Sequence, residues 1–366
     1  MRRQALEQTS NRISRQKRPA IDIGGVEIAP GERRTIDLPL ADLSTHTSMA
    51  MPVQVIHGRR DGPRLFVCAA IHGDEINGVE IIRRLLNLSA LKRLRGTLIA
   101  VPIVNVMGFV TQSRYLPDRR DLNRSFPGSV RGSLAGRLAR LFLDEVVSKA
   151  THGIDLHTGA VHRDNFPQIR GNLDDPETER LARAFGVPAI INAGFREGSL
   201  RESAAKQDVP VIVYEAGEAL RFDEACIRAG LNGVVNVMRA LGMLPEARRS
   251  RAAPHQLVIG SSTWVRAPQS GLVRTAIALG SPVRAGDALA IVADPFGENE
   301  VTIEASADGI VIGRTNLPVV HEGDALFHIA RHEGRQVVAH TLDAFEPGSE
   351  YEEGFTSELA DEPQIV

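Results

Sequence analysis

The segment RLFVCAAIHGDEINGVEIIRRLL, residues 64–86, decides how this chain reads. Residues 64–71 form a near-continuous apolar run of strand length, the pattern of a strand buried on both faces of a sheet. Residues 76–87 repeat apolar side chains at helical spacing. Between the two lies a glycine-containing turn carrying His72, Asp74 and Glu75. The carboxyl edge of such a sheet is where α/β proteins place ligands. An imidazole and a carboxylate three residues apart across the turn can face one ion, and both donor types suit Zn²⁺. Asp74, nearer the turn backbone, is the weaker candidate.

The same texture extends from residue 21 to 246. Further strands are predicted at VQVIH (53–57), GTLIAVPIV (96–104), GIDLH (153–157), PAIINA (188–193) and PVIVYE (210–215). Helices are predicted at 76–87, 134–149, 176–185, 200–207 and 223–241, the last opened by Asp223 as a cap and followed by Gly242. Strands alternating with helices predict an α/β domain built on a mixed sheet with flanking helices. The polar, basic stretch ARRSRAAPHQ (247–256) suits a linker. From 257 to 333 the helical period vanishes, and short apolar runs alternate with glycine turns, which predicts a small all-β barrel. Residues 1–20 read as a basic flexible arm and 334–366 as an acidic tail.

Length and composition fit this division. A chain of 366 residues suits two domains. Its 43% hydrophobic and 24% charged residues are globular proportions. A net charge of −2 argues against a nucleic-acid partner, which calls for a basic excess. No run reaches the ~18–20 apolar residues of a membrane span, and the N-terminus lacks the apolar core of a secretory signal. The two cysteines, Cys68 and Cys226, sit in apolar surroundings and fit a reducing compartment, so a cytoplasmic location is expected. Only four of the 43 cationic residues are lysine, and none follows a glycine, which removes the P-loop. GxGxxG, HExxH and GxSxG are missing as well.

GIDLHTG (153–159) is a second apolar strand ending in a histidine. His72, Glu75 and His157 together make the His₂Glu set of a catalytic zinc site, one Zn²⁺ per chain, with a fourth position left for water. In VIVYEAGE (211–218) a third strand ends in Glu215. A carboxylate there can take a proton from the activated water and hand it to a leaving amine. Glu218 is the better helix cap. SRYLPDRRDLNRSFPGS (113–129) brings Arg114, Arg119, Arg120 and Arg124 together with Asn123 in a loop without helical phase. That combination suits bidentate capture of a carboxylate, and an arginine can stabilise an oxyanion. Asp121 can accept the second ring N–H of a metal-bound histidine. His152 and His162 read as exposed.

The ordered set HGDE, RDLNRSFPG, DLHTG and YEAGE resembles the succinylglutamate desuccinylase/aspartoacylase family, a branch of the zinc carboxypeptidase-like hydrolases. That family also carries an appended β-barrel. The resemblance implies that His72, Glu75 and His157 bind zinc and that Glu215 is the general base and acid. It implies that Asn123 and Arg124 hold the substrate α-carboxylate and that Arg114 assists at the carbonyl oxygen, with Arg119 competing for that role. Asp121 matches the aspartate that supports a metal histidine. One departure stands out. Aspartoacylase has an arginine shortly before the catalytic glutamate that reads the second carboxylate of its substrate. Here that stretch is AAKQDVPVIVYE, with Lys206 the nearest cation and Arg201 further back. Specificity for N-acetylaspartate or succinylglutamate is therefore not implied. Arg170, in FPQIRGNLDD, is either a substrate contact from the loop after His157 or a surface arginine.

The segment after the linker resembles a biotinyl/lipoyl-type barrel through its AxxSGLV and VxxGDxL units, and its second half echoes the first. A carrier barrel of that kind needs a lysine for its cofactor, and none follows Lys206. It is therefore expected to cover or assemble rather than carry. Trp264 reads as packing, and His328 and His332 as ordinary barrel-end residues. The expected function is a zinc-dependent hydrolase cleaving the amide of an N-acyl amino acid or related small amide. The alternatives are a carboxypeptidase acting on short peptides and a non-catalytic binding protein of the same fold. A homo-oligomer with no membrane partner is expected.

Overall fold

The computed structural model describes residues 18–42, 45–246 and 256–332. The basic arm, the linker and the acidic tail lie almost wholly outside them. The first elements are strands: β1 (Ile21–Ile23), β2 (Val26–Ile28), β3 (Arg33–Asp42), β4 (Ser48–His57) and β5 (Arg60–Ala69). Next come α1 (Asn77–Leu86), β6 (Arg95–Val101), α2 (Val106–Val110), α3 (Leu134–Glu145), β7 (His152–Gly159) and β8 (Arg163–Gly171). The α/β part closes with α4 (Pro176–Phe185), β9 (Ala189–Asn192), α5 (Leu200–Ala205), β10 (Val211–Glu218) and α6 (Glu224–Ala240).

At the centre, β5 pairs in parallel with β6 and β7, and β7 in parallel with β10. β8 joins β10 antiparallel, as β4 joins β6, so the sheet is mixed as the alternation predicts. Residues along β5 go alternately to its two faces. Leu65, Val67 and Ala69 join the core under α1, α4 and α6. Phe66 and Cys68 join the core under α3 and α5. Both faces are covered, which is why the run has no polar alternation. The helices stop and start where their caps dictate. The Asp175 side chain accepts from Thr178 N at the start of α4, and Gly186 ends it at φ 92°. Asp223 accepts from Cys226 N at the start of α6.

From Leu257 on, every described element is a strand: β11 (Leu257–Ile259), β12 (Ser262–Arg266), β13 (Gly271–Thr275), β14 (Pro282–Val283) and β15 (Ala288–Ala293), then β16 (Glu300–Glu304), β17 (Gly309–Thr315), β18 (Val319–Val320) and β19 (Ala325–Arg331). These strands do not stand apart from the α/β part. β17 pairs with β8, matching Gly313 to Asn165, and the path β12-β19-β17-β8-β10-β7-β5-β6-β4-β3 runs through a 13-stranded sheet. β11 adds to β9 in parallel. A separate four-stranded sheet, β16-β15-β13-β18, packs over this extension around Leu289, Val292, Ile303 and Phe327. A break at 247–256 is visible in composition, but the sheet runs across it, because the outer edge of β8 has backbone groups that need partners. β8 itself corrects a second expectation. FPQIRG, read as loop, is strand. Pro167 and Gly171 within it disguise a strand whose burial follows no clean alternation.

Among the described residues no helix is long and apolar enough to cross a membrane.

Candidate active site

The site sits at the carboxyl ends of β5, β7 and β10. After β5 the chain turns through His72-Gly73-Asp74-Glu75 into α1. The turn lies against α2, and a Cβ on Gly73 would come within 2.0 Å of the Gly108 carbonyl carbon, so only glycine fits. This presses His72 and Glu75 inward, where both are buried. His157 enters from β7 and is buried too. His72 Nδ1 lies 2.8 Å from Glu75 Oε1, and His157 Nδ1 lies 2.6 Å from Glu75 Oε2. One donor atom from each of the three residues lies within 4.8 Å of the others, so the group can hold a metal ion.

The outer nitrogens are held as well. His72 Nε2 is 3.0 Å from Asp121 Oδ1, the pairing expected from the sequence. His157 Nε2 is 2.8 Å from Asp155 Oδ2. Asp155 was not anticipated, although its signal was present: it lies two residues before His157 on one strand, hence on the same face. With both outer nitrogens engaged by carboxylates, both Nδ1 atoms are oriented toward Glu75, the arrangement that metal-ligating histidines characteristically show. The charges reinforce it. Burial pulls the His157 imidazole down, but Asp155 and Glu75 outweigh burial and hold it well above its ordinary value. His72 is raised in the same way, against burial, by Glu75 and Asp121. Burial pushes Glu75 up, yet the two histidines keep it far below the carboxylate range.

Arg114 closes this corner, with Nη1 donating to Glu75 Oε1 at 2.9 Å and Nη2 reaching Asp121 Oδ2 at 3.4 Å. Asn123 and Arg124 line the same cavity, whose volume is about 390 Å³. Asn123 Oδ1 accepts from Leu200 N at the start of α5, which fixes the carboxamide. Glu215 stands on β10 beside His157 in the parallel register. Asn165 Nδ2 donates to its Oε2 at 2.9 Å, and Arg170 Nε lies 3.2 Å from its Oε1.

With this geometry in view, the comparisons with known proteins are specific. Residues 61–241 match the model of the succinylglutamate desuccinylase/aspartoacylase catalytic domain. The chain belongs to the succinylglutamate desuccinylase/aspartoacylase family. One relative is the N-alpha-acetyl-L-2,4-diaminobutyric acid deacetylase of Halomonas elongata, 28% identical over 81% of this chain and 90% of its own. The crystal structure of a succinylglutamate desuccinylase/aspartoacylase from Rhodobacter sphaeroides superposes with a TM-score of 0.72 at 25% identity, over 82% of this chain and 95% of the other. The product-bound ectoine utilization protein EutE of Ruegeria pomeroyi shares the fold, with a TM-score of 0.75 at 24% identity, over 87% of this chain and all of its own.

Within this family framework several sequence expectations need correction. Arg119 is exposed and does not line the cavity, whereas Arg114 does. Arg170 lines the cavity, but from strand β8 rather than from a loop. It is half-buried on β8 and spent on Glu215. Lys206 pairs with Glu202 outside the cavity. Arg201, set aside in the sequence as too far back, lines the cavity and donates to the carbonyls of Ala193 and Gly194. Burial pulls its guanidinium down. Arg163 and Arg196 line it too, and neither was anticipated. Nor are Trp264 and His328 mere barrel packing. Their rings stack at 4.5 Å in the cavity wall, with the Arg163 guanidinium 5.3 Å from the Trp264 ring. His328 is buried and its Nε2 meets Ser262 Oγ at 2.8 Å. They arrive through the β12–β19 and β17–β8 pairings, which no local pattern announces. Glu218 accepts from His162 N at the end of β10 instead of capping α6. His162 is exposed as expected, whereas His152 is half-buried between Thr151 and Glu177.

Proposed function

We propose that the chain is a zinc-dependent deacylase that hydrolyses the amide of a small N-acyl amino acid bearing a free α-carboxylate. One observation carries the reading: a metal-capable group, an independently held carboxylate and a set of arginines converge on one cavity. The deacetylase relative from Halomonas elongata supports amide hydrolysis as the reaction class. A zinc ion held by His72, Glu75 and His157 supplies, when bound, a Lewis acid for the amide carbonyl and an acidified water.

The rest follows from the side chains. Glu215 takes a proton from the attacking water. The new carbon–oxygen bond forms as the carbonyl becomes tetrahedral. The proton then passes from Glu215 to the amide nitrogen, the carbon–nitrogen bond breaks, and a carboxylic acid and a free amine leave. Arg114 is placed to neutralise charge developing on the carbonyl oxygen. Asn123 and Arg124 hold the α-carboxylate, so that binding fixes the scissile bond against Glu215.

The test is amine release by the zinc-loaded protein from Nα-acetyl-L-2,4-diaminobutyrate, N-acetyl-L-aspartate and related N-acyl amino acids, each with a free or an esterified α-carboxylate. At least one free acid should turn over, its ester far more slowly, and Glu215→Gln should abolish both while zinc content stays the same. A zinc-loaded protein that releases amine from none of them, or a Glu215→Gln variant that keeps its kcat, overturns the proposal.

A further inference from the structure

The carboxylate proposed as the base is held from β8, and the strand beside that part of β8 comes from beyond the α/β segment. Asn165, whose amide reaches Glu215, stands on the half of β8 that pairs with β17. Directly across from it is Gly313. On the far side of β17, Gly313 is matched to His328 of β19. One row therefore crosses the sheet from Trp264 through His328, Gly313 and Asn165 toward Glu215.

Gly313 is the gap in that row. Its φ is not in the left-handed region, so the backbone does not require glycine. The space does. A Cβ at 313 would lie 3.1 Å from Asn165 Oδ1 and 3.3 Å from the His328 Cβ. His328 is anchored by its stack on Trp264 and its contact to Ser262. The softer neighbour is the Asn165 carboxamide, whose rotation carries its Nδ2 away from Glu215.

We propose that Gly313 is a positioning residue that acts through Asn165: the empty place it leaves lets the Asn165 amide hold Glu215 toward the scissile bond. The inference rests on Glu215 being the base. It makes the strands after Leu257 part of the catalytic geometry rather than a cover.

The test is a double-mutant cycle on the zinc-loaded full chain, using the fastest substrate of the panel above, beginning with Nα-acetyl-L-2,4-diaminobutyrate. Asn165→Ala and Gly313→Ala should each lower kcat about tenfold, the loss of roughly one charge-assisted hydrogen bond. KM should stay within about twofold and bound zinc should not change. The double variant should be no slower than Asn165→Ala alone, because both changes remove one interaction. Asn165→Asp, isosteric but without the donor, should also lose kcat, which tests the hydrogen bond even if Gly313→Ala folds poorly. A Gly313→Ala crystal structure should show the Asn165–Glu215 hydrogen bond broken. Additive losses, an unimpaired Gly313→Ala or an intact hydrogen bond in that crystal overturn the proposal. A wild type that hydrolyses no N-acyl amino acid overturns the deacylase reading instead, and the crystal structure still decides the role of Gly313.

Discussion

The two walls of the cavity balance their charges differently. At the metal corner the candidate ligands are paired within the chain: Glu75 with His72, His157 and Arg114, and the outer nitrogens with Asp121 and Asp155. Across the cavity, Arg124, Arg163, Arg196 and Arg201 have no carboxylate within 4 Å among the described residues. Among the described residues the only acidic ones lining the cavity are Glu75 and Glu215, and both are engaged. The first wall is complete by itself and therefore preorganised. The second reaches neutrality only when an anion enters. Each prediction below strikes one wall and leaves the other standing.

The largest effect is expected at the centre of the first wall. Glu75→Gln removes a donor and the charge that orients both histidines. Its loss of zinc affinity should exceed the ~100-fold upper end for an outer partner, as read by competition with a chromogenic chelator. Asp155→Asn spares all three ligands and should cost about 10–100-fold in the same titration. Both variants should leave the arginine wall intact, so inhibition by a carboxylate product should persist in the Asp155→Asn protein once zinc is saturating.

The second wall should respond in KM. Arg201→Ala should raise KM for an acidic N-acyl substrate about 10–100-fold, the value of a hydrogen bond to a charged group of ~1.5–3 kcal/mol. Its kcat and zinc content should barely move. An equal fall in kcat would show that the walls are not separable. The smallest effect on catalysis belongs to His328. Burial, helped by the charge of Arg170, pushes its pKa down to about 4, below the ordinary histidine value. The unfolded chain therefore takes up the proton first as pH falls, and stability drops between about pH 6.5 and pH 4. Urea unfolding should show His328→Phe losing about 2 kcal/mol less than wild type between pH 7 and pH 5.

How much was legible follows the same divide. The metal corner is written locally. His72, Glu75 and His157 each end or follow an apolar strand, and strand ends of a parallel core meet at one edge. Asp121 was found by its chemistry, and Asp155 was missed although it shares a strand face with His157. The arginine wall is written at long range. Nothing near Arg163, Trp264 or His328 in the sequence says that β17 will lie against β8. Arg201 was discounted on its distance along the chain from Glu215, yet α5 brings it to the cavity and leaves Lys206 outside. Arg119 went astray for the opposite reason: it shares a loop with Arg114, but a turn at φ 62° directs it outward.

The joint between β8 and β17 also sets an order of events during synthesis. β8 is complete at Gly171, whereas its outer neighbour begins only at Gly309. At translation speeds of ~5–20 residues per second, the half-strand bearing Asn165 waits on the order of ten seconds for its partner. During that interval it is an open edge of the kind that recruits other chains. The corner of His72, Glu75 and His157 is therefore made before the part of the cavity wall that Trp264 and His328 complete.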